Sequence, residues 1–476
     1  MSAPATPRRH VELLVIGAGP AGRRAAITAA RLGARTAVAD RGPAPAGLIP
    51  FRALHAAAGD AIAARRARPL RGGERPVDLA DLLWRADRVV EGQRDAVRDQ
   101  LRRERVEVLE GAARLAGPHD VDIDGPRGTA RVTADRIVVA TGGVPRRPPG
   151  CDRDGRLVMA PEDLPALPRL PARLTVVGAG VAGLEVAAVA SALGASVTLV
   201  DRGGEAAPEL DHDVVAALLY HLRGVGVTVR LGREVRAIAR REAGGVVATL
   251  DDGGEIDAEA LVFAGGRDGA TAGLGLDAAA LATGPRGHVP ADARGRTAVP
   301  HLLAAGEVTG APGRTAAAMD AGRRAALTAL GRLAPPSRSP LPLAVATIPE
   351  IAAVGPTGRE LALAGAAPVP GVARFADLVR GELSGERAGM LKLLADPGTG
   401  RVLAVHILGA AAGELVHVGQ AAIAGGMTVH DLADAVAGPA TFAEAYAVAA
   451  ADAARRMRLG DDRRCEAGAA APRLGA

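Results

Sequence analysis

The sequence predicts an α/β chain: two β-α-β units followed by a C-terminal α+β segment. Three observations predict it. Gly17-Ala18-Gly19-Pro20-Ala21-Gly22 follows the apolar run Leu13-Leu14-Val15-Ile16. Gly178-Ala179-Gly180-Val181-Ala182-Gly183 follows Leu174-Thr175-Val176-Val177. Each fingerprint is succeeded by an alanine-rich helical stretch and a second apolar run ending in an acid, Asp40 or Asp201, which stands 23 residues after the first glycine in both copies.

A single glycine fingerprint is weak evidence. Two of them, each with strand, helix and acid in place, are specific for dinucleotide binding. The first glycine (Gly17, Gly178) permits the tight turn. The second (Gly19, Gly180) lets the backbone approach a pyrophosphate, and the third (Gly22, Gly183) lets the helix pack closely on the strand. The helix N-terminus then faces the phosphate charge. Two Rossmann-like units mean two dinucleotides, and the natural pair is a flavin and a nicotinamide.

Composition bounds the remainder. A chain of 476 residues suggests several domains. Hydrophobic residues make up 48% but aromatics only 1%, so the cores must be built from Ala, Val and Leu. Lys392 is the only lysine, and the net charge of +5 is small for this length. No basic run with interleaved aromatics suggests nucleic-acid binding. Cys151 and Cys465 are far apart, which is neither a disulfide framework nor a metal-binding spacing, and a reducing cytoplasm fits. No apolar run reaches transmembrane length. Arg8-Arg9 precedes what reads as the first strand of the fold rather than an export signal.

In chain order, residues 1–10 read as a disordered lead and 11–40 as the first β-α-β unit. Residues 78–105 read as a charged amphipathic helix. Arg136 to Gly143 is a strand ending in a small-residue turn, and Pro145 to Pro149 a proline-rich linker. A second α/β unit spans 172–262. Leu302-Leu303-Ala304-Ala305-Gly306-Glu307 is a strand ending in an acid, followed by a helix over 315–331. Leu333 to Pro342 reads as a second linker, 343–457 as the α+β segment, and the residues after Leu459 as a disordered tail.

From about 11 to 457 the chain resembles the flavin-dependent pyridine nucleotide–disulfide oxidoreductases. The residues that carry this are the two GAGxAG loops, Ala140-Thr141-Gly142-Gly143, Ala304-Ala305-Gly306-Glu307 and Thr347-Ile348-Pro349-Glu350-Ile351-Ala352-Ala353-Val354-Gly355. Ile49-Pro50-Phe51-Arg52-Ala53-Leu54, Leu219 to Leu222, Glu414 to Ala421 and Thr441 to Tyr446 are similar to the soluble pyridine nucleotide transhydrogenases within that superfamily. The resemblance implies an FAD-binding domain in two parts (11–150 and 265–335), an NAD(P)-binding domain (151–264) and a dimerisation domain (343–457), with a lead at 1–10 and a tail at 460–476. It implies a homodimer through that last domain, nicotinamide nucleotides as substrates, and cofactor contacts at Gly17, Gly19, Gly22, Asp40, Arg52, Thr141, Gly142, Gly178, Gly180, Gly183, Asp201, Arg202, Gly266, Gly306, Glu307, Thr315 and Ala316. No metal, nucleic acid or membrane span is expected.

Departures from the pattern are informative. The superfamily's redox cysteines fall at Pro43 and Leu48, so no redox disulfide is expected. Pro439 stands where the disulfide enzymes carry their histidine, while Glu444 keeps the glutamate of that pair. Both losses exclude a dithiol relay. Electrons can then pass only between nicotinamide and flavin, and from flavin to a second acceptor. Asp40 is expected to accept from the ribose of the FAD adenosine. Glu307, one methylene longer than the family's aspartate, falls at the ribityl chain. The helix starting at Thr315 should aim its positive end at the flavin pyrimidine ring.

Arg52 stands for the family lysine near flavin N5 and Glu185 for its carboxylate partner, so the catalytic expectation is an Arg52–Glu185 ion pair. An arginine there holds charge but shuttles protons poorly. Asp201 favours NAD by repelling a 2′-phosphate, and Arg202 offsets part of that repulsion. Bland alternatives stand beside these: a solvated arginine at 52, an ordinary helix acid at 185, a strand-end acid at 307, and interface or packing roles for His417, Glu444 and Tyr446. Three functions fit: hydride transfer between NAD(H) and NADP(H), reduction of a quinone or dye by NADH, and a flavoprotein that has become a binding or sensor module.

Overall fold

The computed structural model describes residues 9–42, 48–71, 79–242, 244–337 and 339–469. The chain divides into two compact units. One comprises Met1–Leu170, Ala237–Val246 and Ala260–Ser337; the other comprises Pro171–Arg236, Val247–Glu259 and Arg338–Ala476.

In the first unit, parallel strands lie in the order Glu107–Glu110, Thr36–Asp40, Arg9–Ile16, Gly128–Val139 and Leu302–Ala304. The continuous apolar runs of the central strands, Leu13 to Ile16, Ala37 to Ala39 and Ile137 to Val139, are what a parallel sheet covered on both faces requires. Ile16 pairs with Ala39 and with Val139, and Val139 pairs with Ala304. Gly17, Asp40, Ala140 and Ala305 therefore leave the sheet side by side at its C-terminal edge, where open α/β sheets bind ligands.

Alternate residues face opposite layers. Leu13, Val15, Val38, Val138 and Leu303 pack with alanines of the helices Pro20–Arg31 and Thr315–Ala329. Leu14, Ile16, Ile137 and Val139 pack with Leu274, Leu276, Val289 and Val308. The two helices approach closely: a Cβ on Gly322 would stand 2.0 Å from the carbonyl oxygen of Ala21. The N-terminal half of Gly128–Val139 continues into an antiparallel meander with Asp120–Gly125 and Ala112–Leu115.

The expected helix over 78–105 is Leu79–Arg103, and the one over 315–331 is Thr315–Ala329. Two expectations are corrected here. The lead is strand by Arg9, because Arg9 and His10 pair with Val132 and Thr133 and Arg9 bridges Glu107; residues 1–8 lie outside the described residues. Pro145 does not open a linker. It ends a two-stranded ribbon, Gly143–Pro145 against Arg267–Gly269, and the first unit continues to Leu170.

In the second unit, Thr228–Leu231, Ser196–Asp201 and Arg173–Val177 form a parallel sheet in that order. The helices Val181–Ala192 and His212–Gly224 complete the second Rossmann-like unit. Its C-terminal part is an antiparallel sheet in the order Leu343–Val345, Ile351–Val354, Val402–Leu408, Met390–Ala395 and Val369–Arg374. The helices Ala412–Ala424 and Glu444–Ala469 cover it. Phe375 and Phe442 stack at 4.5 Å in a core made mainly of Leu, Val, Ile and Ala, with Tyr446. The fold class is thus the expected one, two dinucleotide-type units and an α+β C-terminal segment. The tail expectation for 460–476 is corrected: the last helix runs to Ala469, carried by alanine and arginine, good helix formers, with no proline before Pro472. Residues 470–476 lie outside the described residues.

Candidate functional site

The two glycine loops fold alike. Gly17 and Gly178 take φ of +104° and +108°, and Gly19 and Gly180 cap their helices in nearly the same extended conformation. Neither cap supplies a side-chain hydrogen bond, so the first-turn amides lack a side-chain partner there. A Cβ on Gly22 would stand 1.8 Å from the carbonyl oxygen of Gly17, which is why the third position must be glycine. At Gly180, by contrast, an added Cβ would meet nothing within 4 Å. That open side is where a pyrophosphate could lie against the backbone. Gly183 is buried in the helix that follows.

The strand-end acids do something the sequence did not predict. Asp40 accepts from the Ala18 amide through Oδ2 (2.5 Å) and from the Gly42 amide through Oδ1 (3.1 Å). Asp201 accepts from the Ala179 amide through Oδ2 (2.6 Å) and from the Gly203 amide through Oδ1 (2.6 Å). Each acid pins the loop that precedes its own helix. Each carboxylate oxygen retains a lone pair for a ribose hydroxyl. Burial raises the Asp40 carboxyl above its ordinary value, outweighing the two amide bonds and Arg41. Arg202, next to Asp201, is exposed.

Thr141 adjoins the first loop at Gly17, and Gly306 adjoins the following helix at Ala21; Gly142, Gly266, Glu307, Thr315 and Ala316 lie in the same unit. The Thr141 hydroxyl oxygen is buried and has no hydrogen-bond partner among the described residues. An orphaned buried hydroxyl beside an open glycine loop fits a bound polar ligand. Gly142, at φ +76°, faces open space. Thr315 begins its helix behind the cap residue Arg314, with no side-chain cap bond and no acid in the first turn. Its positive end can receive anionic charge. These groups fit an FAD, and the second loop with Asp201 fits a nicotinamide nucleotide.

Glu307 is tied down by residues the sequence did not flag. Arg267 donates from Nε to Glu307 Oε2 (3.0 Å), from Nη1 to Glu162 Oε1 (2.8 Å) and from Nη2 to the Gly143 carbonyl (2.6 Å). Burial works to lower the Arg267 pKa, but Glu162 and Glu307 outweigh it and raise it. A cation directly after Gly265-Gly266 was the available signal for Arg267; Glu162 lies in no recognisable motif.

Arg52 lies on the helix Leu48–Arg71 beside buried Phe51. Glu185 is buried, at 8% exposure, and its Oε1 accepts from the Ala346 amide at 2.6 Å. It stands beyond the first turn of Val181–Ala192, so it is not the first-turn helix acid of the bland alternative. Pro43 lies outside the described residues, and Cys151 is a free thiol. In the C-terminal part, Tyr446 is buried. Its hydroxyl donates to the Leu415 carbonyl (2.6 Å) and accepts from the Gly419 amide (3.0 Å), and burial drives its pKa strongly upward. Its bonds serve the packing of its own domain. His417 is exposed and pairs with Gln420. Among the described residues no cluster of His, Cys, Asp or Glu is placed to hold a metal, and no helix is long and apolar enough to cross a membrane.

The model of the pyridine nucleotide-disulphide oxidoreductase family matches residues 11–322. The chain belongs to that family. The dimerisation domain of the same oxidoreductases matches residues 341–450. Among curated relatives, a soluble pyridine nucleotide transhydrogenase of Mycobacterium bovis is 38% identical over 462 residues, covering 94% of this chain and 98% of that one. Another so named, of Marinobacter nauticus, is 33% identical, covering 94% and 99%. Among solved structures, LpdA from Mycobacterium tuberculosis superposes with a TM-score of 0.83 at 28% identity, covering 94% of this chain and 99% of that one. The flavoprotein disulfide reductase RclA from Escherichia coli, at 24% identity and a TM-score of 0.80 over 92% and 99%, shares the fold. This oxidoreductase works with FAD and NAD(P).

Proposed function

We propose that this oxidoreductase carries hydride between NAD(H) and NADP(H) by way of FAD, without a redox disulfide. The observation that carries the reading is the 38% identity to a soluble pyridine nucleotide transhydrogenase across almost the whole of both chains. The sequence supports the thiol-free route: its two cysteines, Cys151 and Cys465, are remote from the segment 43–48. The bound flavin supplies the centre that accepts a hydride from one nucleotide and returns it to the other.

The chain's own residues bind and orient. The loop Gly17-Gly19-Gly22, Asp40, Thr141, Gly142 and Gly306 hold the FAD, with Glu307 at its polyol chain and the amides of Thr315 and Ala316 at its ring. The loop Gly178-Gly180-Gly183, Asp201 and Arg202 serve the nicotinamide nucleotide. Arg52 supplies the positive charge expected near the flavin, and Glu185 is the second catalytic residue. Because the chain would serve both nucleotides in turn at one site, the kinetics are ping-pong. The working form is a cytoplasmic homodimer through the C-terminal domain. The test is direct exchange: purified holoenzyme with NADPH and an NAD⁺ analogue of distinct absorbance. Reduction of the analogue supports the reading, and NADPH oxidation with no analogue reduction refutes it.

A second reading is an NADH:acceptor reductase. Asp201 favours it, since a carboxylate fixed by the Ala179 and Gly203 amides stands where a 2′-phosphate would need room and positive charge. Faster turnover of NADH with a quinone than with any nucleotide acceptor selects it.

A further inference from the structure

Glu307 has one methylene more than the acid usual at its position, and the structure shows how the extra length is absorbed. A Cβ on Gly143 would lie 2.8 Å from Glu307 Oε2, and one on Gly313 would lie 2.7 Å from Oε1. Two glycines thus make the room. Arg267 then fixes the direction. Its Nε bonds Oε2, while its other two arms are already held by Glu162 and the Gly143 carbonyl. Glu162 and Glu307 lie about three-quarters shielded from solvent, at 28% and 22% exposure, and Arg267 at 35%. A guanidinium is a rigid planar fork, so anchoring two arms aims the third. One oxygen of Glu307 is committed to Arg267; Oε1, on the Gly313 side, has lone pairs to spare for a hydroxyl donor.

We propose that Arg267, anchored by Glu162, is the positioning residue that presets Glu307 to receive the polyol hydroxyls of FAD. This rests on the assignment of Glu307 to the flavin's ribityl chain. Binding benefits because the carboxylate is ordered before the ligand arrives. Arg267 contributes through Glu307 and needs no contact of its own with the cofactor.

The test uses full-length protein stripped of flavin. FAD affinity is read by fluorescence quenching, and apo and holo melting temperatures are read in parallel. Arg267→Met is expected to weaken FAD binding about ten- to a hundredfold, the scale of losing a charge-assisted hydrogen bond. It should narrow the gap between holo and apo melting. Arg267→Lys should restore only part of the affinity, because an ammonium cannot keep all three bonds. Should Arg267→Met fail to fold, Glu162→Gln loosens one anchor and should weaken FAD binding about threefold, with apo melting unchanged. The decisive comparison is the double variant. Arg267→Met with Glu307→Gln should bind FAD no worse than Glu307→Gln alone, since one residue acts through the other. Additive losses overturn the proposal, as do equal falls in apo and holo melting with FAD affinity unchanged. If Glu307→Gln weakens FAD binding and the Arg267 variants do not, the proposal fails while the Glu307 assignment stands. If Glu307→Gln has no effect, the assignment fails and takes the proposal with it.

Discussion

Replacing Lys392 by methionine should destabilise the second unit by orphaning a buried carboxylate. The ammonium donates to Asp211 Oδ1 (2.9 Å) and Oδ2 (3.0 Å) and to Asp213 Oδ2 (2.7 Å). Lys392 and Asp211 are only 10% and 3% exposed, whereas Asp213 is 58% exposed. The loss therefore falls on Asp211, which is left charged and buried. Breaking one side of a buried pair costs about 3–5 kcal/mol. Asp211 keeps the amide of Asp213, which it caps at 3.2 Å, so the lower end, about 3 kcal/mol, is expected. For a body of 150–250 residues that lowers the melting temperature by about 6–12 °C.

Adding Asp211→Asn removes the orphaned charge and should recover about half of the loss. The pH dependence follows from the shifts. Burial works against the Lys392 charge, but the bonds to Asp213 and Asp211 raise its pKa above 10.5. The Asp213 pKa lies below 3.8, chiefly through the bond from Lys392. The lysine's contribution is complete below 10.5 and is lost as pH rises through its raised folded value. The Asp213 contribution is present above 3.8 and is lost as pH falls through its lowered folded value. The difference between wild type and variant should thus be flat between these limits and shrink outside them. Thermal melting followed by circular dichroism across pH measures it. A drop of under about 1 kcal/mol at pH 7, or a double variant as unstable as the sum of the two singles, would refute the reasoning.

Gly180→Ala should leave melting within about 0.5 kcal/mol of wild type, because the added methyl meets no protein atom, yet raise KM for nicotinamide nucleotides about tenfold with flavin content unchanged. An unchanged KM would remove the pyrophosphate from that loop. Asp201→Ser should raise kcat/KM for NADPH relative to NADH about ten- to a hundredfold, measured in steady state with a common acceptor. Tyr446→Phe leaves the Leu415 carbonyl and the Gly419 amide without the hydroxyl and should cost about 1–3 kcal/mol in denaturant unfolding, with turnover per folded protein unchanged. A fall in turnover at constant stability would make Tyr446 catalytic.

Much of the fold was legible because its signals are local. Gly17 and Gly178 announce turns that only glycine adopts cheaply, and Leu13 to Ile16 and Leu174 to Val177 carry the apolar runs of covered parallel strands. The spacing to Asp40 and Asp201 fixed the two β-α-β units. What those acids bond was not legible: spacing places a carboxylate at a strand end but cannot say that a loop amide reaches it first. Arg267 and Glu162 escaped notice because they meet through a ribbon and a turn 105 residues apart in sequence, with no repeat or period to link them. Pro145 read as a linker from composition alone, since a three-residue strand has no periodicity to detect. The helix beyond Leu459 was not legible, because its short run of charged residues, Ala and Gly has no apolar periodicity, only the helix propensity of Ala and Arg.

The central claim is that reducing equivalents pass between nicotinamides through a flavin with no dithiol behind it. Anaerobic titration of the holoenzyme with NADH, and separately with NADPH, while flavin absorbance is followed, tests it most directly. The account predicts full bleaching by both nucleotides, complete at one equivalent per flavin, with no long-wavelength thiolate–flavin band. A second equivalent taken up with such a band would reveal a redox disulfide and contradict the claim. Bleaching by NADH alone would contradict exchange with NADP(H).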